Sequence, residues 1–162
     1  MIGAFVGYFA IRAFRLSFLP ALLAAMAVSA VLGMVIERLA YRPLRNSTRI
    51  AALITAIGVS FLIQNTALLA WTPDPRSYPD VFPLQTYEIA GVYVDNRQMA
   101  ILGVAVVLMI VLHYIVNYTQ TGRAMRAVSL DADTARLMGI DVDRVISITF
   151  AIGSALAAAA GV

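Results

Sequence analysis

FLPALLAAMAVSAVLGMVI, Phe18 to Ile36, contains no Asp, Glu, Arg or Lys, and this run decides the fold. A helix rises 1.5 Å per residue, so a run of this length covers roughly the 30 Å hydrocarbon core of a bilayer. Pro20 falls in its first turn, where a missing N–H has no intrahelical bond to lose. Three further uncharged runs follow, at Ile50–Trp71, Met99–Val116 and Val145–Val162. Of the 162 residues, 61% are hydrophobic and 13% charged, and the mean hydropathy is +0.84. A water-soluble domain is about half apolar and a quarter charged. The pattern predicts an all-α, polytopic transmembrane helix bundle. A fifth apolar piece, Met1–Ile11, is too short to span, and it lacks the basic flank and cleavage site of a signal peptide. It reads as a partial helix. Both ends of the chain look cut.

Composition also excludes several chemistries. The chain has no Cys and one His, His113, which leaves no ligand set for a zinc, iron–sulfur or thiol site. All twelve basic residues are Arg, so there is no Walker A lysine to reach phosphates and no Schiff-base lysine. No nucleophile–base pair or paired carboxylates stand out, and the expectation is a non-enzyme without metal or cofactor. The net charge of +3 does not mark a nucleic-acid surface, because the arginines are scattered between apolar runs.

Loop charge sets the orientation. The connection Glu37–Arg49 carries Arg38, Arg42, Arg45 and Arg49, and Asn117–Arg144 carries Arg123, Arg126, Arg136 and Arg144. The loop between them, Thr72–Gln98, holds Arg76 and Arg97 against Asp74, Asp80, Glu88 and Asp95. Counting arginines places the first two in the cytoplasm and the third outside, with Arg12 and Arg15 a mild violation. In the outer loop, TPDPRSYPDVFP is extended by its prolines, and QTYEIAGVYVDN alternates around Ala90–Gly91 as a small β-hairpin does. The loop is either a solvated connector or a docking surface, and a connector is the commoner use.

Membrane helices associate through small residues that let backbones approach. Such residues recur every four positions at Ala21, Ala25, Ser29 and Gly33; at Ala52, Ala56 and Ser60, ending in Gln64; and at Gly153, Ala157 and Gly161. The spacing predicts that these three helices form the packed interior and that Met99–Val116 lies at the periphery. Chance spacing in Ala-rich helices is the competing account. Ser60, Gln64 and Asn65 need protein or water as neighbours, either as interhelical hydrogen bonds or as a translocation path. No run holds an acid or base at depth, which argues against a proton- or sodium-coupled carrier. His113 falls near a helix end, where an interfacial imidazole is commoner than a proton relay.

The most informative stretch is TGRAMRAVSLDADTARLMGIDVDRVISITF. Ser129 is placed to cap a short helix, with Asp131 and Asp133 in its first turn and Arg136 near its end. Gly139 is placed to stop it in the left-handed conformation, and Asp141 to cap the next helix. A helix of about nine residues results, too short to be stable alone in water, so it must dock on something. The lipid headgroups, its own bundle and a soluble partner are the choices.

Two long segments, IERLAYRPLRNSTRIAALITAIGVSFLIQN (Ile36–Asn65) and TGRAMRAVSLDADTARLMGIDVDRVISITFAIGSALAAAAGV (Thr121–Val162), carry a resemblance, and IAGVYVDN (Ile89–Asn96) fits it too. The chain resembles the permease subunits of bacterial ABC importers for branched-chain amino acids. The resemblance implies that residues 1–162 are a partial permease domain, with an outer loop at 72–98 and a cytoplasmic coupling loop at 117–144. It implies that the short helix is the coupling helix, in which Asp133, Ala135, Arg136, Leu137, Met138 and Gly139 meet an ATPase. Importers in general carry an EAA, three residues, Gly pattern there; this chain has Asp133-Thr134-Ala135 and then Gly139, a departure at two positions. Ser60, Gln64, Asn65, Gly153 and Ala157 would serve helix packing or the path. The implied partners are cytoplasmic ABC ATPase subunits, a second permease subunit, an extracytoplasmic substrate-binding protein and membrane lipid, in a bacterial inner membrane. A permease of the same architecture for urea or short amides, a self-contained carrier or channel, and an assembly protein are the rivals.

Overall fold

A computed structural model of the chain describes residues 1–14, 17–44, 49–71, 86–89 and 92–162. Each apolar run is a helix. Met1–Ile11 lies in α1 (Ile2–Phe14), and the deciding run is α2 (Phe18–Ile36). The others are α3 (Arg49–Trp71), α4 (Asn96–Tyr118) and α7 (Val142–Gly161). Two helices, α5 (Gln120–Leu130) and α6 (Ala132–Leu137), connect α4 to α7. Four of these helices are long and apolar enough to cross a membrane.

The helical path does not stop at Ile36. It widens into a π turn over Glu37–Tyr41 and closes with a 3₁₀ turn, Arg42–Leu44, giving an apolar element of 27 residues from Phe18 to Leu44. A scan for charge ends the run at Glu37, whereas Glu, Arg, Leu and Ala are all good helix formers and carry the backbone hydrogen bonds onward. Between α3 and α4, β1 (Thr86–Ile89) pairs antiparallel with β2 (Val92–Asp95), Thr86 opposite Asp95 and Ile89 opposite Val92. The Pro-rich stretch and the Ala90–Gly91 turn lie outside the described residues.

The chain divides into two compact units. One holds α1, α2 with its extension, α3, and α7 from Ile146 onward; the other holds the ladder and α4 to α6, up to Val145. In the first, the small-residue stripe of α2 is buried throughout, with Ala21 and Ala25 fully enclosed and Ser29 and Gly33 close behind. Gly3 and Gly33 explain the close approach. A Cβ on Gly3 would lie 2.5 Å from Ala158 Cβ, and one on Gly33 would lie 1.9 Å from Ser154 Oγ. At the other end of α7, a Cβ on Gly161 would lie 3.6 Å from Ala4 Cβ. Aromatic contacts tie α1 to α3, where the Phe5 and Trp71 rings stack with centroids 4.8 Å apart.

Two small-residue stripes are disposed differently from the α2 stripe. Gly153 and Ala157 are exposed, and the face of α7 that meets its neighbours carries Phe150, Ser154 and Ala158 instead. Both stripes have the same four-residue spacing, but a shift of one residue turns the face by about 100°, and spacing alone does not choose between them. The second is α3, which the spacing placed inside. Only 6% of its span is buried, with Ser60 and Gln64 exposed and Ala52 and Ala56 half-buried. The peripheral character expected of Met99–Val116 is consistent with α4, where no residue is buried.

Candidate functional site

The second unit is built around the turn from α4 to α5. Thr119 makes it: its hydroxyl donates to the Ile115 carbonyl at 2.5 Å and accepts from the Gly122 N–H at 3.1 Å. A Cβ on Gly122 would fall 2.1 Å from the Val116 carbonyl oxygen, so the reversal tolerates no side chain there. The Arg126 guanidinium donates to that same Val116 carbonyl, satisfying one of the acceptors a helix end leaves open. Helix α5 was absent from the sequence expectation. Its missed signals are Thr119, a capping residue three positions before Gly122, and an amphipathic spacing of Arg123 and Arg126.

The nine-residue helix capped by Ser129 is also corrected. The Ser129 hydroxyl donates to the Arg126 carbonyl inside α5, and Asp131 is the cap of a six-residue α6. Ser and Asp both suit the role, and the backbone makes the choice: Asp131 is extended, at φ −155° and ψ 112°. Its carboxylate accepts from the N–H groups of Asp133 at 2.9 Å and Thr134 at 3.3 Å, and from the Thr134 hydroxyl at 2.5 Å.

The far end of α6 closes as the sequence anticipated. Gly139 has φ +82°, its N–H donates to the Arg136 carbonyl, and the Ile140 N–H reaches back to Ala135. This is a Schellman-type stop, which favours glycine at the left-handed position. Two residues on, Asp141 accepts from the Arg144 N–H at 3.1 Å and caps α7. Ala135 is the buried residue of α6. Asp133 and Arg136 pair at 3.2 Å across three positions; exposed as they are, the pair sets local geometry more than stability. Leu137 and Met138 stand 88% and 79% exposed beside the Gly139 stop.

The Thr134 hydroxyl, with the N–H groups of Thr134 and Asp133, holds the Asp131 carboxyl below its ordinary value of 3.8. The linkage follows from that direction. The ionised cap stabilises α6 fully above the unfolded value, and this is lost as pH falls through the lower folded value. Asp131→Asn should keep the cap and abolish its acid dependence, and Asp131→Ala should lose both, read by amide exchange at Asp133 and Thr134. Equal protection in all three proteins at neutral pH would count against the cap.

The other expected residues lie apart from α6. On α3, Gln64 donates to Ser60 Oγ at 3.4 Å and Asn65 to the Phe61 carbonyl at 2.8 Å, both within their own helix. His113 shares its Nδ1 with the Asn117 amide, again one turn away.

One charged residue was missed. Glu37, assigned to a loop by its charge, is 1% exposed, and its Oε2 accepts from the Ser147 hydroxyl on α7 at 2.6 Å. Tyr41, one turn along, packs its ring on Phe150 with centroids 5.1 Å apart. The available signal was the continuation of helix-forming residues beyond Ile36.

Comparison with known proteins places these features in context. The model of the branched-chain amino acid transport system permease component matches residues 1–162. The chain is 36% identical over 174 residues to the high-affinity branched-chain amino acid transport system permease protein LivH of Salmonella typhimurium, and equally to that of Escherichia coli. It is 34% identical to the corresponding protein BraD of Pseudomonas aeruginosa. All of this chain is covered in each match, and 56% of LivH or 57% of BraD. The chain thus spans about half the length of the curated relatives it matches. No solved structure matches it.

Proposed function

The chain belongs to the permease-component family of branched-chain amino acid transport systems, and from that premise we propose that it forms part of the membrane path of an ATP-driven importer for branched-chain amino acids. The proposal includes a bacterial inner-membrane location with several spans, no catalytic activity of its own, and three kinds of partner. These are cytoplasmic ABC ATPases, a second permease subunit and an extracytoplasmic substrate-binding protein.

The observation that carries the coupling role is α6 itself. It is a short helix capped by Asp131, stopped by Gly139, and joined through Asp141 to the membrane-length α7. Leu137 and Met138 offer apolar contact to an ATPase groove, and the Asp133–Arg136 pair offers polar register. Docked there, α6 would move with the ATPase and carry α7 along. Ser60, Gln64, Asn65, Gly153 and Ala157 are exposed on α3 and α7, a disposition that suits the path or contacts with further helices of the assembly. The relatives' names favour branched-chain amino acids over urea or short amides.

The test is transport by the complete assembly in liposomes, with the ATPases inside and the binding protein outside. Labelled leucine, isoleucine or valine should accumulate only with ATP hydrolysis and should be competed by one another. Uptake without ATP would point to a self-contained carrier, and competition by urea alone to the amide-type reading.

A further inference from the structure

Glu37 is the largest fully enclosed side chain among the described residues, and the proposed function does not use it. Burying a carboxylate is unfavourable unless hydrogen bonds replace its water, so a position that needed only packing would be better filled by an apolar residue. Three features surround it. The Ser147 hydroxyl donates to its Oε2. It opens the π turn Glu37–Tyr41, a wider coil that occurs often at functional sites. The same face of α2 meets α7 on either side, at Gly33 against Ser154 and at Tyr41 against Phe150. Ser147 lies one turn beyond Arg144, whose N–H is held by the Asp141 cap, and so close to the end of α7 that follows α6.

We propose that Glu37 is a positioning residue that clamps the α6-proximal end of α7 to the π-helical end of α2, so that displacement of α6 moves the two helices as one body. The inference rests on the coupling role proposed above. A hydrogen bond is directional, and it holds one rotation of α7 where an apolar contact would allow sliding. Without it, α6 still moves with the ATPase, but α7 turns against α2 and the stroke is lost between them.

The test uses the complete transporter in liposomes, with two readouts: substrate moved per ATP hydrolysed, and amide exchange over residues 144–150. Glu37→Ala should lower the transport-to-hydrolysis ratio about tenfold and speed that exchange about tenfold, leaving the substrate KM unchanged. Glu37→Gln, whose amide oxygen still accepts from Ser147, should restore most of both. Ser147→Ala should lower the ratio about threefold, and the double variant should be no worse than Glu37→Ala alone, because Glu37→Ala already removes the Ser147 hydrogen bond. A simple fall in assembled transporter would lower transport and hydrolysis together and leave the ratio intact, which is the result of a merely structural role and would overturn the clamp. Unchanged exchange and ratio in Ser147→Ala, or effects of the two substitutions that multiply, would overturn it equally, even if Glu37→Ala does not assemble. Should the unmodified assembly move no branched-chain amino acid while Glu37→Ala still speeds exchange, the transport reading fails and the clamp stands.

Discussion

On the coupling role proposed for α6, Gly139→Pro should leave the protein in the membrane and lower ATP-driven transport by more than about tenfold. Two independent reasons act at one position. Gly139 has φ +82°, whereas the proline ring locks φ near −65°. Its N–H also donates to the Arg136 carbonyl at 3.0 Å, and proline has no N–H. The stop that sets where α6 ends and α7 begins is therefore lost, and Leu137 and Met138 lose their fixed position. Gly139→Ala separates the two causes, since it keeps the N–H and strains only φ, at about 1–2 kcal/mol; it should fall between the two. Membrane-fraction yield and transport per assembled complex are the measurements. Normal transport by the proline variant would end the coupling assignment of α6.

Gly33→Leu should have the second large effect, on folding rather than coupling. A Cβ there would sit 1.9 Å from Ser154 Oγ and 2.7 Å from Ser154 Cβ, with the Phe150 carbonyl oxygen at 3.1 Å. The serine can rotate; a carbonyl within α7 cannot yield unless the helix shifts. Overpacking of this kind typically costs about 1–3 kcal/mol even for smaller insertions. The recovered folded protein should drop severalfold, measured by its survival in mild detergent on heating. Gly58→Leu and Gly103→Leu are the controls, because a Cβ at either site meets nothing within 4 Å. Gly33→Ala combined with Ser154→Gly should recover much of the loss, since the second change removes the atoms nearest the new methyl. Equal thermal survival of the Gly33 and Gly58 variants would show that α2 and α7 do not pack here.

The two predictions differ in how far they could be read without coordinates. Gly139 was legible in the chain, because the sequence from Asp131 to Asp141 is a set of local signals: capping carboxylates, a glycine stop, a second cap. Such signals act over three or four residues through backbone hydrogen bonds, and they need no distant partner. Even there, the choice of Asp131 over Ser129 as the cap needed the backbone, since both residue types can serve. Gly33 was legible only in part. Its stripe on α2 is buried as expected, but on α7 Ser154 and Ala158 meet the neighbours while Gly153 and Ala157 are exposed, and the stripe on α3 is largely uncovered.

Hydrophobic run length, charge placement and short-range capping are written directly in the residues, because each is decided by the chain's relation to solvent or to its own next turn. They suffice for four membrane-length helices and a capped connecting helix before α7. Which helical face meets which neighbour depends on contacts between residues far apart in the chain, where a one-residue shift turns a face by about 100°. Glu37 shows the difference most clearly. Its charge marks it as a surface residue, and the fold buries it and brings Ser147, 110 positions away, to within hydrogen-bond distance.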